Sequence, residues 1–235
     1  MPAMTTEDQH AEPLRELHEA YRAERGQVQA PPAWRDDLGI PLKAADRAVK
    51  AAQDVQFALA RVRANVDAGN IHRDQGHVQR TRIIEDARRE VDGFIDSGRA
   101  LMKALPSRVY ARAWPDSVPS GVDWDTVAME WESVTPDDAL QTFGSMVEDA
   151  LTRGDANTAK GLMSRRGRAL LATRIGKELT NESWPDIQRE ATHALGRLGT
   201  GTDADPGIAL AQVDAVERAF TVGANLADMM LQGST

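Results

Sequence analysis

Apolar residues recur at alternating three- and four-residue steps in two stretches of the chain. Ala45, Val49, Ala52, Val55, Leu59, Val62 and Val66 form one stripe, and Ile84, Ala87, Val91, Phe94, Gly98, Leu101 and Leu105 form the other, both averaging 3.5 residues per step. That period is the signature of a helix-packing seam. At about 1.5 Å rise per residue each stretch makes a rod roughly 30 to 35 Å long, which can bury its stripe only against another long helix.

Between the stripes, Ala68-Gly69-Asn70 is the one plausible break, because a left-handed helix cap is least costly at glycine. Doubling the chain back there predicts an antiparallel hairpin with Val55 beside Ala87, Val49 beside Val91 and Ala45 beside Ile95. Near the turn the matching fails. Leu59, Val62 and Val66 face Arg82, Gln79 and Gln75, with Val78 and Ile71 as the only apolar neighbours. Either the protein's own helices cover this tip or a partner does. One continuous rod forming a coiled-coil oligomer is the alternative geometry.

Outside the hairpin, a helix is expected from Thr6 to Arg25 with Leu14, Leu17 and Tyr21 on one face, beginning in a polar, frayed stretch. GQVQAPPAWRDDLGIP reads as an extended connector, with Pro41 opening the next helix from its first turn. PSRVYARAWPDSVPSG, Pro106 to Gly121, reads as a second break. Trp124, Val127 and Trp131 then share a helical face, and Thr135-Pro136-Asp137-Asp138 carries the signals of a helix start. Helices follow from there to Gly154, from Ala156 to about Leu179 with a kink at Gly167, from Pro185 to Leu198 and from Pro206 to Leu231. No alternating strand pattern is long enough to build a sheet. The expected fold is all-α, a long antiparallel helical hairpin plus a C-terminal helical bundle. It divides into an N-terminal helix and proline-rich arm (1–41), the hairpin (42–105), an aromatic and proline hinge with a short acidic helix (106–134) and the bundle (135–235).

The run Ala150-Leu151-Thr152-Arg153-Gly154-Asp155, followed by Ala159, resembles the turn inside a helix-turn-helix repeat of the tetratricopeptide type. The resemblance covers about ten residues without a second copy at the required period, and it implies one helical hairpin at that point.

Composition narrows the chemistry. A length of 235 residues buries a core without staples, and the absence of cysteine removes disulfides, thiolate nucleophiles and Cys-ligated metals. No secretory leader and no membrane-spanning run is seen, so a cytoplasmic protein, or one within an assembly such as a virion, is expected. Only five of the 28 basic residues are Lys, and the net charge of −8 disfavours general nucleic-acid binding.

The sharpest chemical feature is a step in charge. Nine acidic residues and no basic one lie between Asp116 and Thr152, whereas Arg153 to Lys177 holds seven basic residues against Asp155 alone. Such polarity favours pairing within the chain or head-to-tail contact between copies. Trp124 and Trp131, seven apart in an acidic helix, form either core or a face for a partner's groove. Arg174 to Leu195 has the outline of a helix-turn-helix DNA reader, its turn at Thr180 to Ser183 and with Asp186, Gln188, Arg189 and Thr192 toward the groove. The five histidines offer no pair at metal-ligand spacing. The glycine clusters fit neither a phosphate loop, a calcium loop nor a dinucleotide motif.

These readings converge on a non-enzymatic structural or assembly protein with no catalytic, cofactor or metal residues, acting as a homo-oligomer or within a protein complex. Its candidate partner-binding residues are Leu59, Val62, Val66, Val78, Trp124, Trp131, Arg165, Arg166 and Arg168. A helical DNA-binding regulator is the competing reading, although nucleic acid is not the expected partner. In texture the chain is also similar to accessory or assembly proteins (scaffold or connector type) of phages that infect GC-rich bacteria.

Overall fold

The computed structural model describes residues 6–233. The N-terminus, where no secretory leader is expected, lies partly outside the described residues. The chain is all-α, 85% helical, with no strand among the described residues. Nine α-helices follow in order among those residues: α1 (Thr6–Gln27), α2 (Arg35–Asp67), α3 (Arg73–Ala113), α4 (Trp124–Glu132), α5 (Ala139–Thr152), α6 (Ala156–Leu162), α7 (Arg165–Ile175), α8 (Lys177–Leu198) and α9 (Asp205–Gln232). The long helices α2 and α3 pack antiparallel, as the seam requires. Gly69, between them, has φ +72°, the left-handed conformation that glycine adopts at no steric cost.

Two compact units emerge. The first comprises residues up to 29, 35–104 and 212 onward, so α1, α2, most of α3 and most of α9. Its core is built on small side chains. Ala45, Ala48 and Ala52 of α2 are wholly buried beside Val49 and Val55, facing Ala87, Val91 and Ile95 of α3. Glycine extends the close packing, since a methyl at Gly98 would overlap the Phe220 ring and one at Gly223 would crowd Tyr21. Tyr21 donates its hydroxyl to Asp46 at 2.7 Å, and Arg25 binds the same carboxylate. Burial raises the Tyr21 pKa, with Arg25 offsetting part of the rise.

The second unit holds residues 30–34 and 105–211. Trp131, Phe143 and Trp184 form its aromatic centre, the first two in edge-to-face contact at 5.9 Å between centroids. The Arg112 guanidinium lies 4.6 Å over the buried Trp34 and donates to the Ala33 carbonyl at 3.1 Å, fixing the short segment to the end of α3. Helices α8 and α9 cross where Gly196 meets Gly207, so close that a methyl on either would strike the other's backbone.

Four expected boundaries move. Helix α2 begins at Arg35, so Pro41 lies inside it, and the connector is shorter than its prolines suggested. Helix α3 likewise runs through Pro106 to Ala113. A proline inside a helix costs about 3 kcal/mol, whereas burying one large aliphatic side chain returns about 1.5 to 3. Leu105 and Val109 beside Pro106 are both buried at 1% exposure or less, as is Leu38 near Pro41. Packing therefore outweighs the breaker. The kink expected at Gly167 falls three residues earlier, where Ser164 caps α7 by accepting from the Arg166 N–H. Gly167 instead sits against the Leu162 carbonyl, an approach that no side chain permits. Finally, α8 starts at Lys177, after Gly176 at φ +82°, and continues through Thr180 to Ser183 without a turn.

The start at Thr135 to Asp138 forms a turn in which the Thr135 hydroxyl accepts from the Asp138 N–H at 3.4 Å, with α5 regular from Ala139. The turn resembling a tetratricopeptide connection joins α5 to α6, with Gly154 at φ +73° and Asp155 as cap.

A methyl at Gly207 has no room, whereas one at Gly144, inside α5, meets nothing within 4 Å. Gly207→Ala is expected to cost about 1 to 3 kcal/mol through overpacking, and Gly144→Ala to gain up to about 1 kcal/mol from helix propensity. Thermal unfolding followed by circular dichroism should move in opposite directions for the two. The caps give a second expectation. Asp123 and Asp155 accept from the backbone N–H and the hydroxyl of Thr126 and Thr158, and these bonds hold both carboxyls below the usual range. With the folded pKa below the unfolded one, each cap contributes fully above the unfolded value and fades as pH falls through the lowered folded value. Asp155→Ala should therefore lower the melting temperature at neutral pH, and its deficit against wild type should shrink on acidification below about pH 4.

Candidate functional site

Along one side of the hairpin, α2 and α3 leave an open groove of about 580 Å³. Its floor is apolar, formed by Ala51, Val55 and Ala58 of α2 and Ile83, Ala87 and Phe94 of α3. Val55 and Ala87 are buried, while the other four remain partly exposed. The lips carry charge. Arg47, Lys50 and Asp54 rise from α2, and Asp86 and Glu90 from α3. Helical spacing puts them there: Arg47, Ala51, Asp54 and Ala58 follow each other by four, three and four residues. Asp86 is engaged by Arg89 and, at 3.8 Å, by Arg82. Among the described residues, Arg47, Lys50, Asp54 and Glu90 have no ion-pair partner in the chain.

The heptad-like stripes did not single out this groove, because its floor is made partly by their flanking positions. Ala51 and Ala58, with Ile83 across from them, widen the apolar face beyond the seam, and that widening is the signal the sequence contained.

At the hairpin tip Leu59 and Val62, two of the candidate partner-binding residues, are buried within the chain at 9% and 7% exposure. Val78 does not provide the cover, since it stands 66% exposed. Leu59 belongs to the buried core of α2, α3 and α9, and Val62, Val66 and Ile71 gather over Gly76, where a methyl would overlap Val66. Gln56, one turn before Leu59 and Ala60, donates to the Met230 carbonyl at 2.7 Å and ties α2 to the end of α9. Val66 stays half-buried in a second groove of about 630 Å³, whose rim includes Arg63, Arg73, His77 and Arg80 with Asp67.

The aromatic and arginine candidates meet each other in the second unit. Trp131 is buried at 2% exposure and donates its Nε1–H to the Thr173 hydroxyl at 3.3 Å, so its place among partner-binding residues is corrected to core. Trp124 is partly buried beneath the Arg166 guanidinium, 4.3 Å from its ring centroid. Arg168 lies 5.4 Å over Trp184 and donates to the Asn181 Oδ1 at 2.8 Å. Arg174 donates to the Trp131 and Glu132 carbonyls, both at 3.0 Å, at the negative end of α4. Arg165 is exposed. The basic stretch thus engages ring faces and carbonyls, and among the described residues no ion pair joins it to the acidic stretch from Asp116 to Asp149.

The outline of a DNA reader is not present as expected. Helix α8 has no turn at Thr180 to Ser183, Asp186 pairs with Arg189 at 3.0 Å, and Thr192 is fully buried, accepting from the Trp114 Nε1–H at 2.8 Å. Among the described residues no group of three or more His, Asp or Glu could hold a metal ion, and no helix is long and apolar enough to cross a membrane.

Stacked guanidinium groups contribute about 0.5 to 1 kcal/mol at exposed sites and more where desolvated. Removing Arg166 or Arg168 by alanine should lower the melting temperature by a few degrees, while Arg165→Ala should leave it unchanged, as read by differential scanning calorimetry. No protein-family model, no curated protein and no solved structure matches this chain.

Proposed function

We propose that this protein is a non-enzymatic structural or assembly protein that docks through helix faces of its long hairpin. The observation that carries this reading is the groove between α2 and α3, with partly exposed Ala51, Ala58, Ile83 and Phe94 on its floor and unpaired charges on its lips. A floor of this kind gains by being covered, at roughly 25 cal/mol for each Å² of apolar surface removed from water. Lip charges free of internal partners give the contact orientation and selectivity. The acidic residues of α4 and α5, which the basic stretch does not neutralise, add a polar surface that discourages indiscriminate association.

Light scattering on the protein purified from its own source tests the reading. A native mass well above the 25.6 kDa of one chain, rising with concentration or held by a stoichiometric partner, is the expected result. A mass of one chain at every concentration, with no partner retained, refutes it.

A further inference from the structure

We infer that the second groove, at the hairpin tip, is a binding site for a compact phosphate-bearing molecule. This open groove of about 630 Å³ shares no lining residue with the groove that carries the docking role, so the two readings fail separately. Two helical faces meet there. Ala60, Arg63 and Asp67 follow each other by three and four residues along α2, and Arg73, His77 and Arg80 by four and three along α3, so each set lies on one side of its helix. Leu59, Val62 and Val66 complete the lining with apolar surface.

The arginines of this groove are unlike those farther along α3. There, Arg82 and Arg89 hold Asp86, and Arg99 lies 3.5 Å from Asp96, each within one helical turn. Arg73 and Arg80 have no acid three or four residues away in either direction, and Arg63 has Asp67 alone. Among the described residues none of the three makes an ion pair within the chain. Even with Asp67 turned to Arg63, two positive charges stay uncompensated in one groove, and their mutual repulsion is relieved only by an anion. A phosphate monoester brings about 1.5 to 2 negative charges at neutral pH, and its oxygens match the planar fork of a guanidinium. A lone carboxylate leaves half of the excess in place.

The surroundings limit the ligand's size. Residues 61–82 hold five Arg against Asp67 and Asp74, a net +3, whereas the whole chain carries −8, so the remainder is strongly acidic in sum. A long polyanion that overruns the tip meets that opposing field, but a molecule held inside the groove meets the arginines. The apolar part of the lining gives an organic phosphate a place for its carbon skeleton, which an inorganic ion lacks.

Isothermal titration calorimetry on the full chain at low salt tests this, with adenosine monophosphate as the probe and adenosine, succinate and a short DNA duplex as comparisons. Adenosine monophosphate is expected to bind saturably, adenosine not at all, and succinate and the duplex more weakly. Arg63→Ala, Arg73→Ala and Arg80→Ala should each weaken binding of the nucleotide about tenfold or more. Asp67→Asn should strengthen it, because the substitution removes the groove's one negative charge. Arg99→Ala, an exposed α3 arginine outside the groove, should leave it unchanged. Helicity by circular dichroism is expected to be the same in all, every substituted position being exposed. Absence of saturable binding overturns the inference, as does binding that ignores the three groove arginines or falls equally with Arg99→Ala. Succinate binding as tightly as the nucleotide overturns the assignment to phosphate. A duplex that binds more tightly through the same arginines overturns the compact ligand and gives the site to nucleic-acid phosphates. Each of these results leaves the docking role standing.

Discussion

The close approach of α2 and α3 is the constraint on which the first unit depends. The buried face of α2 includes Ala44, Ala45, Ala48 and Ala52, so there is little side chain between the helices along that part, and each turn buries little apolar surface. Stability from such a seam accumulates over length instead of bulk, which is why both helices exceed thirty residues. Short side chains also leave few alternative rotamers, and the glycines at 76, 98 and 223 seat Val66, Phe220 and Tyr21 in single places. The register of the hairpin, and with it the level of every charge on the groove's lips, follows from this packing.

The second unit solves a different problem. Arg189 and Arg197 pair with Asp186 and Glu148, but four other arginines meet rings and carbonyls. Arg112, Arg166 and Arg168 lie over Trp34, Trp124 and Trp184, and Arg174 closes the end of α4. Guanidinium groups suit this work because they are planar, weakly hydrated and permanently charged. The step in charge along the sequence is therefore a record of two separate uses. Basic residues help to build the unit, while the acidic ones cap helices, as Asp123 does, or meet solvent. A surface left acidic in this way repels others of its own sign.

The sequence by itself determined the fold class, the pairing of two long helices, the turn at Gly69, and the start of a helix at Ala156. Each depends on neighbours a few residues away, through helical period, left-handed glycine or a side-chain cap, and local rules reach that far. Only the tertiary structure decided that Pro41 and Pro106 lie inside helices, where Leu38, Leu105 and Val109 beside them are buried. It alone decided that Leu59 and Val62 at the tip are buried while Val78 stands exposed, and that arginines of the basic stretch face tryptophans. The groove between α2 and α3 falls in the same class. Its floor combines positions flanking two separate stripes, and whether a flanking alanine ends in core or in an open groove depends on which helices come to rest beside it, a packing outcome that periodicity does not encode.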